Sequence, residues 1–315
     1  MSNVAYSIVE PSTRTKSVAA ALVILYALLT MIPLLWIVLT SAKSPPDSIS
    51  YPPKVVFEPS MEGYCNLFTT RSRQTEEYIQ SLPPAESTCE VIARSRNMVV
   101  AGSSNYLPRF INSLVIALGS TFVSVLFGTI AAYAFSRFKV PGKDDLLFFI
   151  LSTRMMPPIA VAIPIFLMYR SLGLSDTWIG MIILYSAVNV SLAVWLMKGF
   201  IDEIPREYEE AALVDGYTRL QAFIKVVLPQ AVTGIVATAI FCLIFSWNEY
   251  AFAVLLTSGT AQTAPPFIPI IIGEGGQDWP AVAAGTTLFL IPILIFTIFL
   301  RKHLLRGITF GAVRK

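Results

Sequence analysis

The sequence predicts an all-α membrane protein with six transmembrane helices and both termini cytoplasmic. Three observations predict it. Of 315 residues, 55% are apolar and 14% charged, and mean hydropathy is +0.65, whereas a soluble domain carries about 25% charge. Six stretches supply the roughly 20 mainly apolar residues that a helix needs to cross the hydrocarbon core. The basic residues of the short connections fall almost entirely on one side.

Other classes fit poorly. A net charge of +3, from 23 basic and 20 acidic residues, is too small and dispersed to argue for nucleic acid. The single histidine, His303, disfavours a His-based metal site or a Ser-His-Asp triad, so neither a metal ligand nor a catalytic residue is expected. Three cysteines (Cys65, Cys89, Cys242) are too few for a disulfide scaffold.

Residues 1–17 form a cytoplasmic N-terminus. The first span, Val18–Thr40, is too long for a signal-peptide core and lacks a small-x-small cleavage site, so it reads as a retained anchor. The second span is Phe110–Phe135, the third Leu146–Tyr169, the fourth Trp178–Leu196, the fifth Ala231–Leu256 and the sixth Ala281–Leu300. With the N-terminus inside, the inner segments hold Arg14, Lys16, Arg137, Lys139, Lys143, Lys198, Arg206, Arg219, Lys225, Arg301, Lys302, Arg306, Arg314 and Lys315. The short outer connections hold only Arg170, and that asymmetry sets the orientation.

The segment 41–109 is the outer, periplasmic loop; long loops are exported whatever their charge. It is rich in Pro, Ser and Glu, and its oxidising surroundings favour a Cys65–Cys89 bridge, worth roughly 3–4 kcal/mol on chain-entropy grounds. Two free thiols are the alternative. Cys242, inside the fifth span, reads as a packed small apolar residue.

The longest inner loop, 199–230, is more than a connector. Residues 204–216 read as a short helix with Pro205 in its first turn, Glu207, Glu209 and Glu210 near its positive end, and Gly216 as the left-handed cap. A second helix begins at Thr218, with Gln221 three residues on as in a capping box. Leu220, Phe223, Ile224, Val227 and Leu228 give it one apolar face, and Pro229 ends it. A partnerless amphipathic hairpin lying at the membrane surface is the plain alternative.

Glu210-Ala211-Ala212, then Gly216, Ile224 and Leu228-Pro229, resembles the EAA loop of ABC-importer permeases. Thr40-Ser41-Ala42-Lys43, Asn112-Ser113-Leu114, Ala131-Ala132-Tyr133-Ala134-Phe135, Leu172-Gly173-Leu174 with Asp176-Thr177, Ser246-Trp247-Asn248-Glu249 and the tail 307–313 narrow it to the carbohydrate type, resembling the second permease of the maltose system. The resemblance implies the type I ABC importer permease architecture. It also implies a complex with a second, homologous permease, two ATPase subunits and a periplasmic sugar-binding protein in the bacterial inner membrane. Glu209, Glu210, Ala211, Ala212, Asp215 and Gly216 would couple to an ATPase, and Gly307, Thr309 and Gly311 of the cytoplasmic tail 301–315 would reach between the ATPases.

The chain would bind no cofactor itself; ATP and Mg would sit in the partner ATPases. A phosphate-binding G-x-x-x-x-G-K-[ST] loop is missing from the sequence, since Gly142-Lys143 is followed by Asp144 and preceded five positions earlier by Arg137. The sequence departs from the family at about 70–105, where relatives have a much shorter connection. A cap or docking surface for the binding protein is one expectation, a solvated elaboration the other.

Polar groups inside spans are costly and become site candidates. Arg154 lies about nine residues into the third span, before Met155-Met156-Pro157-Pro158. Arg154, Asn189, Trp247, Asn248 and Glu249 suit a polyhydroxylated cargo; an internal Arg154–Glu249 pair or interhelical hydrogen bonds are the alternative. Trp36, Tyr133 and Trp195 read as interface-belt aromatics. The function expected is ATP-driven import of a sugar or sugar derivative, with a six-span secondary transporter as the competing reading.

Overall fold

The computed structural model describes residues 13–273 and 276–308, with side chains described through 298. Its helices run α1 (Thr13–Ser41), α2 (Pro45–Ser48), α3 (Glu62–Phe68), α4 (Glu76–Gln80), α5 (Thr88–Arg94) and α6 (Tyr106–Arg137). Then come α7 (Lys143–Thr153), α8 (Pro158–Ser171), α9 (Trp178–Asp202), α10 (Arg206–Val214) and α11 (Arg219–Ala222). A π-helical turn (Phe223–Val227) leads into α12 (Leu228–Gln230), followed by α13 (Val232–Trp247), α14 (Ala251–Leu256), α15 (Ala264–Phe267) and α16 (Trp279–Ile308). Two short two-stranded sheets pair β1 (Thr69–Arg73) with β2 (Met98–Ser103), and β3 (Ile272–Gly273) with β4 (Gly276–Gln277).

Helices α1, α6, α9 and α16 are each long and apolar enough to cross a membrane. The third and fifth expected spans are not single helices. The third breaks into α7 and α8, bent by 87°. Pro157 and Pro158 cause the break, because each lacks an N–H and disfavours helical geometry in the residue before it. The fifth is set off by a 75° bend at its start, between Arg219–Gln230 of the inner loop and Val232–Trp247, next to Pro229. It stops again at Trp247, where the Glu249 carboxylate accepts from the N–H groups of Phe252 (2.9 Å) and Ala253 (3.1 Å) and starts α14 as a separate helix.

The chain divides into two units, Met1–Gly102 with Ile272–Thr287, and Ser103–Ile271 with Leu288–Lys315. In the first, α1 has an 18-residue apolar window with no residue buried, as expected for a helix meant to face lipid or another chain. After α1, Lys43 is buried with its ammonium 3.9 Å from the Trp36 ring centre. The insertion is folded rather than irregular. A Cys65–Cys89 disulfide, with Cα atoms 5.3 Å apart, joins α3 to α5. Buried Glu62 of α3 accepts from Arg96 at 3.3 Å. Asn66 donates to Asp278 at 2.5 Å, and Asp278 caps α16 through the Ala281 N–H at 3.0 Å. Burial pushes the Arg71 guanidinium below its ordinary pKa, while the nearby Glu62 and Asp278 charges push it back up.

In the second unit, α6 packs along α9 with their backbones close. A Cβ on Gly128 would lie 3.0 Å from the Ala193 carbonyl carbon and 3.1 Å from the Val194 nitrogen. Small polar residues stitch the bundle, with Ser120 and Ser246 hydroxyls 2.8 Å apart, in the manner of membrane-embedded helices. Beyond the helix ends, Asp176 adopts φ 54° and its carboxylate accepts from the N–H groups of Ser258 (3.3 Å), Gly259 (3.2 Å), Thr260 (2.8 Å) and Ala261 (3.1 Å). Burial works against its charge, but the four donors outweigh burial and hold the pKa below the ordinary value.

That latch contributes stability fully above the ordinary carboxylate pKa of about 3.9 and loses it as pH falls through the lower folded-state value. Asp176→Asn is expected to cost about 2 kcal/mol at neutral pH, as charge-assisted bonds become neutral ones. Thermal unfolding of detergent-solubilised protein checks it. An equal melting temperature for the two proteins at pH 7 would show that the carboxylate does not hold the 258–261 loop.

Candidate functional site: a cross-braced loop and a polar cluster among the helices

The 199–230 loop forms the expected pair of helices, with local corrections. Pro205 stands at the N-cap of α10 rather than in its first turn. At the other end Gly216 has φ +90°, the Gly216 N–H reaches Leu213 O at 3.1 Å, and the Tyr217 N–H reaches Ala212 O at 3.0 Å. This double closure needs a left-handed residue, which glycine supplies without strain. The capping box is present: Thr218 Oγ accepts from Gln221 N at 3.3 Å, and Thr218 N donates to Gln221 Oε1 at 2.8 Å. Instead of simply ending at Pro229, the second helix loosens into the π-helical turn, where the Leu228 N–H reaches back to Phe223 O.

The six expected coupling residues divide between two faces. Glu210, Ala211, Asp215 and Gly216 are exposed, whereas Glu209 and Ala212 are buried, at 4% and 6% exposure. Glu209 accepts from Arg137 Nε at 2.9 Å and from the Tyr133 hydroxyl. Tyr133, expected in the interface belt, is therefore a buried partner of the loop. Its four-residue spacing from Arg137 puts both on one face at the end of α6, a pattern legible in the sequence.

The polar candidates within the helices form two groups. Arg154 Nη1 donates to Asn189 Oδ1 (3.3 Å) and Val188 O (3.4 Å), and the guanidinium lies 4.1 Å from the Phe245 ring centre. Buried Asn189 donates to Ser246 Oγ at 2.8 Å. Glu249 does not pair with Arg154; it accepts from Tyr185 at 2.7 Å and caps α14. Trp247 is 2% exposed, stacks on Phe289 at 4.5 Å and donates to the Phe289 carbonyl at 3.2 Å. Asn248 is exposed and donates back to Ile244 O at 2.8 Å. The structure thus brings Arg154 and Asn189 together, commits Trp247 and Glu249 to packing and capping, and leaves Asn248 open. Phe245 and Tyr185 were not singled out by sequence, and Ser246 entered only through a family motif, not as a cargo candidate. Gly307 lies in the last turn of α16, and Thr309 and Gly311 fall outside the described residues.

Comparison with known proteins agrees with this architecture. Residues 124–310 match the family described as binding-protein-dependent transport system inner membrane component. The Sinorhizobium fredii protein y4oR, named a probable ABC transporter permease, is 32% identical over 288 residues, covering 91% of this chain and 92% of its own. The trehalose transport system permease SugB of Mycobacterium tuberculosis is 39% identical over 65% of this chain and 76% of its own. A chain from the crystal structure of a bacterial ABC transporter involved in alginate import superposes with TM-score 0.66 at 21% identity, covering 93% of this chain and 98% of that one, and so shares its fold. A multi-pass helical membrane protein with the type I importer permease fold, the chain belongs to the family of binding-protein-dependent transport system inner membrane components.

Proposed function

We propose that this chain is one permease subunit of an ABC importer that moves a sugar or sugar derivative across the bacterial inner membrane. A second homologous permease, two ATPases and a periplasmic sugar-binding protein complete the complex. The chain contributes no nucleotide site of its own; ATP and Mg are held by the ATPases. Both termini are cytoplasmic, a reading supported by the basic-residue asymmetry and by the bonded Cys65–Cys89 pair in the exported loop.

One observation carries the proposal. Helix α10 is fixed on one face by Glu209 and Ala212 and presents Glu210, Ala211 and Asp215 on the other, which is the form of a helix held for a partner. Closure of the ATPases on ATP moves α10, and the spans switch between two states. The tail from Gly307 through Thr309 and Gly311 provides a second contact with the ATPases. The carbohydrate assignment draws on the likeness to the trehalose permease SugB.

The test is uptake of radiolabelled trehalose, maltose or glucose by proteoliposomes holding the whole complex and the binding protein. Uptake of at least one sugar that requires ATP is expected. Uptake driven by an ion gradient without the ATPases would replace this reading with a secondary transporter. Arg154 is the side chain assigned to cargo contact, held in place by buried Asn189. Arg154→Gln is expected to lower ATP-driven uptake about tenfold, the scale of one charged hydrogen bond. Unchanged uptake would remove Arg154 from the path.

A further inference from the structure

We infer that Arg137 and Glu209 are positioning residues that brace α10 against the end of α6, so that a push on α10 is delivered to the helix bundle instead of being absorbed in the loop. The inference rests on the reading of α10 as the ATPase-facing helix.

Glu209 turns inward from α10 and uses both carboxylate oxygens, one for Arg137 Nε at 2.9 Å and the other for the Tyr133 hydroxyl. The side chains of the ion pair are 4% and 5% exposed. Two further bonds cross the same joint. Arg137 Nη2 donates to Ile204 O at 2.9 Å, and Arg206 Nη2 donates to Ser136 O at 2.7 Å. The Phe223 ring lies 4.4 Å from that of Tyr133, so the second helix of the loop closes on the same aromatic group.

Burial is what makes this joint stiff. Water replaces either partner of an exposed ion pair at little cost, whereas parting a buried pair strands both charges in a dry site. Apolar packing at Ala212 sets a distance but no direction; the charge-assisted bonds set the direction. From α6 the displacement passes to α9 across the close Gly128–Ala193 contact. Arg137 and Glu209 are too buried to touch a partner chain, so they act only through α10.

The test uses the complete complex in lipid nanodiscs, in a Cys242→Ala background. Nitroxides are placed at Val214→Cys, 88% exposed at the end of α10, and Phe127→Cys, 57% exposed on α6. Otherwise unaltered protein is expected to show one narrow distance, equal without nucleotide and with MgATP trapped by vanadate. In Glu209→Gln or Arg137→Met the distribution is expected to widen about twofold and to shift with nucleotide, while ATP hydrolysed per sugar imported rises about tenfold.

A purely structural role would lower the yield of complex and leave both quantities unchanged in what assembles, and that result overturns the inference. Tyr133→Phe removes one bond and no charge, and is expected to move both quantities the same way by about twofold. If the charge variants fail to assemble, an unchanged Tyr133→Phe complex overturns the brace. Lack of ATP-driven uptake in the unaltered complex would instead remove the assignment of α10, whatever the distances show.

Discussion

Replacing residues 70–105 with a short Gly-Ser linker is expected to abolish the folded protein rather than trim an optional loop. The insertion carries Arg96 and Arg71, the cations set against Glu62 and Asp278, which are only 4% and 7% exposed. Removing the cation from a buried carboxylate costs about 1–3 kcal/mol where, as here, Arg96 is itself 40% exposed, because the carboxylate remains in a site it cannot leave. The same deletion removes Cys89 and with it the disulfide, a further loss of about 3 kcal/mol. A domain has only about 5–15 kcal/mol to lose. The yield of monodisperse protein in detergent and its melting temperature are the measurements. A shortened chain that purifies and melts like the original would show that the insertion is not a brace, and would return it to the role of a docking cap or solvated ornament. A companion variant, Glu62→Gln within the shortened chain, should recover part of the loss, since it removes the stranded charge.

Gly216→Val is expected to reduce import to background while ATP hydrolysis continues. Nothing lies within 4 Å of a Cβ built at Gly216, so the substitution meets no steric obstacle. Its effect comes from the backbone. A β-branched residue held at φ +90° is strained by about 1–3 kcal/mol, and the cheapest relief is to abandon the two N–H bonds that close α10. The angle between α10 and α11 is then no longer specified, and the exposed face of α10 meets its ATPase in many orientations. Gly216→Asn, which tolerates left-handed geometry better, should keep a measurable fraction of import. The ratio of ATP hydrolysed to sugar imported, measured on the reconstituted complex, separates the two variants. Import at the full rate by Gly216→Val would mean that the joint does not direct α10.

Features that depend on neighbours in the chain were legible without a structure. Apolar run length located the four helices long enough to cross a membrane, Gly216 and the Thr218–Gln221 pair announced the two caps of the inner loop, and the position of Cys65 and Cys89 outside the bilayer pointed to their bond. Local chemistry suffices there, because a cap or a run of leucines is stabilised by atoms a few residues away.

What could not be read is where long-range partners decide the outcome. Hydropathy averages over a window, so it joined α7 to α8 and α13 to α14 across breaks made by two prolines and by one inward-turning carboxylate. A tyrosine at a span end looks the same whether it meets lipid headgroups or, like Tyr133, a glutamate 76 positions later. Composition and spacing determined that the chain is helical, crosses a membrane several times and carries a capped helix pair. Only the tertiary structure decided which polar groups are used up in holding it together, because a buried charge or hydroxyl must find its partner in space and sequence distance sets no limit on where that partner lies.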